Sequence, residues 1–167
     1  DGDEQQLSFD FDFIGLQNYT REVVKYSLFT PYIQAKLVEA KIRNVPLTEM
    51  GWEVYPQAIY EVIKKFSAYP QIKNIIITEN GSAFKDTVAG GKVNDVLRIQ
   101  YLHDNLQQVL KAKEERCPVT GYFVWTLTDN FEWAEGYRPR FGLIHINFET
   151  QDRTIKNSGY WYRDFLK

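Results

Sequence analysis

Apolar and polar positions follow two periods along this chain. Residues 9–19 (FDFDFIGLQNY) begin with Phe and Asp in alternation and turn apolar at Ile14-Gly15-Leu16. Period two predicts a strand with one wet face that runs into a more buried stretch. Thr30 before Pro31 reads as an N-cap and a first-turn proline, which predicts a short helix over 32–42. Residues 56–68 place Ile59, Val62, Ile63 and Phe66 at helical spacing, with Lys64 and Lys65 on the other side. The run 74–78 (NIIIT) is apolar and β-branched, as in a strand covered on both faces. Asn94 or Asp95 then caps a long amphipathic helix reaching about residue 115, with Ile99, Leu102, Leu106, Val109 and Leu110 as its stripe. His103 lies near its polar side and reads as a surface residue. Residues 121–127 (GYFVWTL) predict a third buried strand. The end of the chain is loop-rich, with His145 as a strand residue and Asp152-Arg153 as a surface turn.

Strands separated by helices imply right-handed parallel crossovers. A three-stranded parallel sheet leaves two edges to cover. A closed (β/α)8 barrel needs eight strands and typically about 250 residues, and this chain has 167. The fold class is therefore α/β: a small doubly wound sheet, or part of a larger barrel. Residues 1–167 read as one domain, without repeats or a Gly/Ser linker. Composition narrows the function. With 44% apolar and 16% aromatic residues the chain is not disordered. A net charge of −2 argues against nucleic acid as a partner. No run approaches the roughly 20 apolar residues of a membrane span. One cysteine, Cys117, beside two histidines leaves no disulfide framework and no transition-metal cage, so no metal and no cofactor are expected. Cys117 reads as structural. The opening Asp1-Gly2-Asp3-Glu4 has neither an initiator Met nor a signal segment, so residue 1 is not expected to be a translation start. The compartment is unreadable from it, with the cytoplasm as default.

In parallel α/β folds the chemistry sits at the carboxyl ends of the strands. Here those ends are Gln17-Asn18-Tyr19, Thr78-Glu79-Asn80-Gly81 and Trp125-Thr126-Leu127. A carboxylate directly after a buried strand needs donors around it, and Tyr19 and Asn80 are of suitable type. Such a carboxylate suits nucleophilic or general-base work. The other reading makes Asn80-Gly81 a turn with Glu79 exposed beside it. The segment 125–141 (WTLTDNFEWAEGYRPRF) joins Trp125 and Trp133 to Asp129, Glu132 and Glu135. Aromatic faces beside acids suit the C–H face and hydroxyls of a sugar. An ordinary aromatic core with solvated charges is the alternative.

These motifs together resemble glycoside hydrolase family 1, the β-glucosidase family. Ile77-Thr78-Glu79-Asn80-Gly81 is similar to its ITENG nucleophile signature. Residues 12–20 (DFIGLQNYT) resemble its DFxGxNYYT strand, and 51–56 (GWEVYP) its GWEVxP segment. Residues 121–133 and 140–144 resemble GYFxWSLxDNFEW and RFGLI, and 153–158 (RTIKNS) the closing RTxKxS block. The order spans nearly the whole chain and implies a partial (β/α)8 barrel, roughly its last three strand-helix units.

The resemblance implies roles. Glu79 would be the nucleophile of a retaining β-glycosidase, and Tyr19 would hydrogen-bond its carboxylate. Trp125 would lie under the sugar. Glu132 would accept from the O4 and O6 hydroxyls, with Trp133 at the same end. Phe141 would wall this subsite, and Trp52 would line the leaving-group side. Glu132 and Trp133 disfavour the 6-phospho-glycosidase branch, because a phosphate would meet the Glu132 charge. Gln17, Asn18 and Thr126 depart from the usual Asn, Tyr and Ser. The larger departure is that no Asn-Glu-Pro occurs. In the family that motif carries the acid/base, about 5 Å from the nucleophile. The expected partners are a β-linked glycoside and, over the sheet edges, the N-terminal barrel portion or a second copy. The chain alone is expected to turn over little or no substrate. The rivals are a non-catalytic carbohydrate-binding module, a self-associating half-barrel without ligand, and an unrelated doubly wound protein that matches by coincidence.

Overall fold

A computed structural model describes residue 2 and residues 9–167. In chain order the elements are β1 (Ile14–Gln17), β2 (Val24–Tyr26), β3 (Ala35–Leu37), α1 (Gln57–Ser67), β4 (Ile75–Asn80), β5 (Val88–Ala89), β6 (Lys92–Val93), α2 (Val96–Glu114), β7 (Val119–Val124), β8 (Ile144–Ile146), β9 (Arg153–Ile155) and α3 (Asn157–Phe165). Strands β1, β4 and β7 form one parallel sheet in that order. The remaining strands pair as three antiparallel hairpins, β2–β3, β5–β6 and β8–β9. The architecture is a partial α/β barrel with β4 at its centre.

Helices α1 and α2 cover one face of the sheet. Ile59 and Ile63 of α1 meet Ile75 and Ile77 of β4, all fully buried, together with Leu16, Val109, Ala112 and Val119. Cys117 is a free, buried thiol in the same layer. A second layer joins Tyr101 and Leu102 of α2 to Leu143, with Trp161 and Tyr162 of α3 packed against it. On the opposite face Gly15 and Gly121 flank Ile76 in register. A Cβ on Gly121 would come within 3.2 Å of the Ile76 side chain, so the glycine makes room for it.

After Ile77, β4 carries one residue more than each neighbour, whereas lower down it is β7 that carries an extra one, Thr120. Leu16 and Gln17 pair with Ile77 and Glu79, skipping Thr78, and the β7 register shifts in the same place. Side-chain alternation is therefore interrupted. Ile75 and Ile77 are buried, Thr78 and Glu79 are both half-buried, and Asn80 is buried again.

Four expectations change. In place of the helix over 32–42 stand the end of the β2–β3 hairpin turn, strand β3 and one 3₁₀ turn (Ala40–Ile42). Thr30 bonds the Ser27 hydroxyl, and Phe29 and Tyr32 stand in solvent, so that apolar spacing had no surface to bury. The alternating segment before Ile14 is not strand, and Phe9, Phe11 and Phe13 are exposed. The stripe of α2 is rotated: Leu110 is exposed while Arg98 and Asn105 are buried. The chain ends in helix α3, and Arg153 opens β9 instead of sitting in a turn. Gly159 lets α3 approach, since a Cβ there would lie 2.9 Å from the Leu143 carbonyl oxygen.

Ile63 is fully enclosed by this core. Ile63→Ala is expected to lower unfolding free energy by about 3 kcal/mol, read from urea denaturation.

Candidate active site

The carboxyl ends of β1, β4 and β7 open into one cleft of about 370 Å³, lined by Gln17, Tyr19, Trp52, Glu79, Trp125, Glu132, Trp133 and Phe141. All seven site residues picked from the sequence meet there, although they come from five separate stretches of chain. Glu79 takes two hydrogen bonds. Tyr19 Oη donates to Oε2 at 2.5 Å and Gln17 Nε2 to Oε1 at 2.7 Å. Burial, then the hydrogen bond to Glu79, pushes the Tyr19 phenol far above its ordinary pKa, with the Glu132 charge adding to the effect. Tyr19 thus keeps its proton and acts only as a donor to the carboxylate.

Asn80 does something other than expected. Its side chain is fully buried and makes no bond to Glu79. Nδ2 donates to the Asn18 carbonyl at 2.7 Å, while Tyr122 Oη donates to Oδ1 at 2.5 Å. Tyr101 of α2, 3.3 Å from Nδ2, donates in turn to the Tyr19 carbonyl at 2.8 Å. The Asn80 carbonyl accepts from Trp125 N at 2.9 Å. One amide thus ties β4 to the ends of β1, β7 and α2. The turn reading of Asn80-Gly81 fails here, because Asn80 is the last residue of β4. Gly81 is needed for close approach: a Cβ would fall 1.7 Å from the Trp125 carbonyl oxygen.

Tyr19, Trp52 and Phe141 form a triangle of rings, with centroids 5.6, 6.2 and 6.1 Å apart. Phe141 is buried behind the other two. Trp52 is held through its neighbour Glu53, which is buried between Arg21 (2.9 Å) and Arg43 (2.8 Å). Those hydrogen bonds, Arg21's foremost, lower the Glu53 pKa. Trp133 stands exposed at the rim, and Glu132 N bonds the Gly136 carbonyl across a single 3₁₀ turn, Trp133–Glu135. The Trp125–Thr126 peptide is cis.

Two acids of the aromatic segment do not reach the cleft. Asp129 is buried against Lys156 and Arg140, and Glu135 pairs with Arg138 at the surface. Gln17 was missed as a Glu79 partner. Its place at the end of β1, level with Glu79, was the available signal.

A carboxylate gripped by two donors, walled by indoles and set at the strand ends of an incomplete TIM barrel, defines a member of the α/β-barrel class with a site suited to a polyhydroxylated ligand. The family model described as Glycosyl hydrolase family 1 matches residues 1–167, and the chain belongs to that family. It is 45% identical over 166 residues to the 1,4-beta-D-glucan glucohydrolase of Thermotoga neapolitana, covering 99% of this chain and 36% of that protein. A 6-phospho-beta-galactosidase of Clostridium acetobutylicum is 35% identical over 98% of this chain and 38% of its own length. The solved family 1 β-glucosidase of Thermotoga maritima superposes with a TM-score of 0.89 at 44% identity, covering 98% of this chain and 36% of that one. The same enzyme has been solved with castanospermine. The chain thus spans little more than a third of the length of these relatives.

Asn80→Ala removes the shared amide and leaves Tyr122 and the Asn18 carbonyl unpaired, at an expected cost of about 3 kcal/mol in urea unfolding. Glu53 contributes stability while ionised, which is lost as pH falls through its lowered pKa. The stability gap between the native chain and Glu53→Gln is therefore expected to be full at pH 7 and to shrink below about pH 4, measured by denaturation across pH.

Proposed function

We propose that this chain carries the nucleophile half of a retaining β-glycosidase site of β-glucosidase type. The observation that carries the reading is the doubly hydrogen-bonded Glu79 in a cleft with Trp125 and Glu132. In this reading a Glu79 oxygen bonds the anomeric carbon as the glycosidic C–O bond breaks. The departing oxygen takes a proton from an acid group, and water later cleaves the glycosyl-enzyme. Tyr19 and Gln17 hold the carboxylate in line. Trp125 supports the sugar face, Glu132 accepts from its hydroxyls with Trp133 beside it, and Phe141 backs the wall. Trp52 faces the leaving group. A 6-phosphate would be repelled by Glu132, which favours an unphosphorylated β-linked glycoside.

The acid group is not among this chain's motifs. The open edges of β1 and β7 are to be covered by the N-terminal portion of the barrel, or by a second copy. Absence of the acid typically costs about 10²–10⁴-fold in rate, so the isolated chain turns over little. A purified chain that hydrolyses an aryl β-glucoside at ordinary enzyme rates would refute this. Turnover is expected when the missing barrel portion, made from the Thermotoga maritima relative, is added, and Glu79→Gln is expected to abolish it. The preserved aromatic wall also favours a second reading, carbohydrate binding without hydrolysis. Calorimetric sugar binding by the chain, with no turnover even after that addition, would select it.

A further inference from the structure

Behind the cleft lies a buried cluster of six charged side chains: Asp86, Asp95, Asp129, Arg98, Arg140 and Lys156. All but Arg140 are at most 1% exposed at the side chain. Three acids meet three bases, so the cluster is neutral as a whole. Arg98 of α2 reaches Asp86 at 3.1 Å and also Asp95 and the Arg140 carbonyl. Asp95 accepts from Ser158 N at 2.9 Å, drawing in α3. Lys156 Nζ bonds Asp129 at 2.8 Å and also Asp86.

These partners sit at chosen places along the chain. Asp86 lies on the segment that leaves β4 after Glu79. Asp129 lies between Trp125 and Glu132, at the base of the segment that carries both. Its carboxylate accepts from Gly142 N at 2.9 Å and Ile146 N at 3.3 Å, so the outgoing and returning arms of that segment are strapped together. Gly142 has no room for a side chain, since a Cβ would lie 2.2 Å from Asp129 N. The Lys156 ammonium therefore bridges the segment after Glu79 to the segment with the aromatic and acidic cleft residues. Charge-assisted hydrogen bonds are directional, so this bridge favours one spacing of the two segments.

We infer that Lys156 and Asp129 are positioning residues, which set the spacing of Trp125, Glu132 and Trp133 from Glu79 without touching ligand. The inference rests on the sugar-site reading above. The test uses the full chain with Lys156→Met, Asp129→Asn and the double variant, which keeps the cluster's net charge. Castanospermine binding is measured by calorimetry at a temperature where circular dichroism shows each variant folded, alongside amide hydrogen exchange. Each single variant is expected to weaken binding about tenfold or more, with the double no worse than the worse single, because both remove the same link. Exchange is expected to quicken over residues 130–141 and to stay unchanged in β4 and α1. Folded variants with native affinity and native exchange over 130–141 overturn the inference. If the singles do not fold, the double is judged by the same two measurements. If the native chain does not bind castanospermine even with the missing barrel portion added, it is the sugar-site reading that fails. Exchange over 130–141 then decides the strap, with faster exchange upholding it and unchanged exchange refuting it.

Discussion

A strand that alternated strictly would send Glu79 to the side of Ile75 and Ile77, into the apolar layer beneath α1 and α2. The extra residue of β4 breaks that alternation after Ile77, so Glu79 follows Thr78 onto the open side and Asn80 takes the inward place. An unpaired carboxylate among Ile59, Ile63 and Ile77 would be strongly destabilising, whereas a neutral amide there can be satisfied. Asn80 meets this condition with the Asn18 carbonyl and the Tyr122 hydroxyl, and in doing so it draws together the ends of β1, β4 and β7. The cleft's position follows from that one irregularity.

Two polar clusters then hold the cleft from behind, by different physics. The amide hub around Asn80 is uncharged and depends on short, directed hydrogen bonds among Tyr101, Tyr122 and the backbone. The ionic cluster around Lys156 balances three acids against three bases, and removing any one member leaves the buried group with an uneven count of acids and bases. One fixes the carboxylate end of the site, the other the aromatic end. Between them the Trp52 corner hangs on Glu53, which is clamped by two arginines.

The apolar surface is consistent with an incomplete barrel. Phe123, Leu127 and Leu166 are each more than 60% exposed. Leu127 and Leu166 belong to an apolar groove beside α3 of about 520 Å³, with Leu143, Ile144 and Ile155. Parallel sheets are ordinarily covered on both faces, and here the helices cover only one.

Much of this was legible in the linear order of residues. The apolar run at Ile75–Ile77, the helical spacing of Ile59 and Ile63, and the acid and aromatic residues at strand ends depend on local period and chemistry, which the chain carries in itself. Glu79, Tyr19, Trp52, Trp125, Glu132, Trp133 and Phe141 could be named from motifs alone. The helix expected after Pro31 could not be corrected locally, because its apolar residues became a hairpin only for want of a surface to pack on. Arg98, Lys156 and Asp129 look like solvated charges until folding brings three distant segments together, since only burial distinguishes an ion pair that holds a core from one that does not. The direction of the Glu79 side chain was likewise decided by tertiary structure: sequence supplies the carboxylate, but the register between neighbouring strands chooses its face.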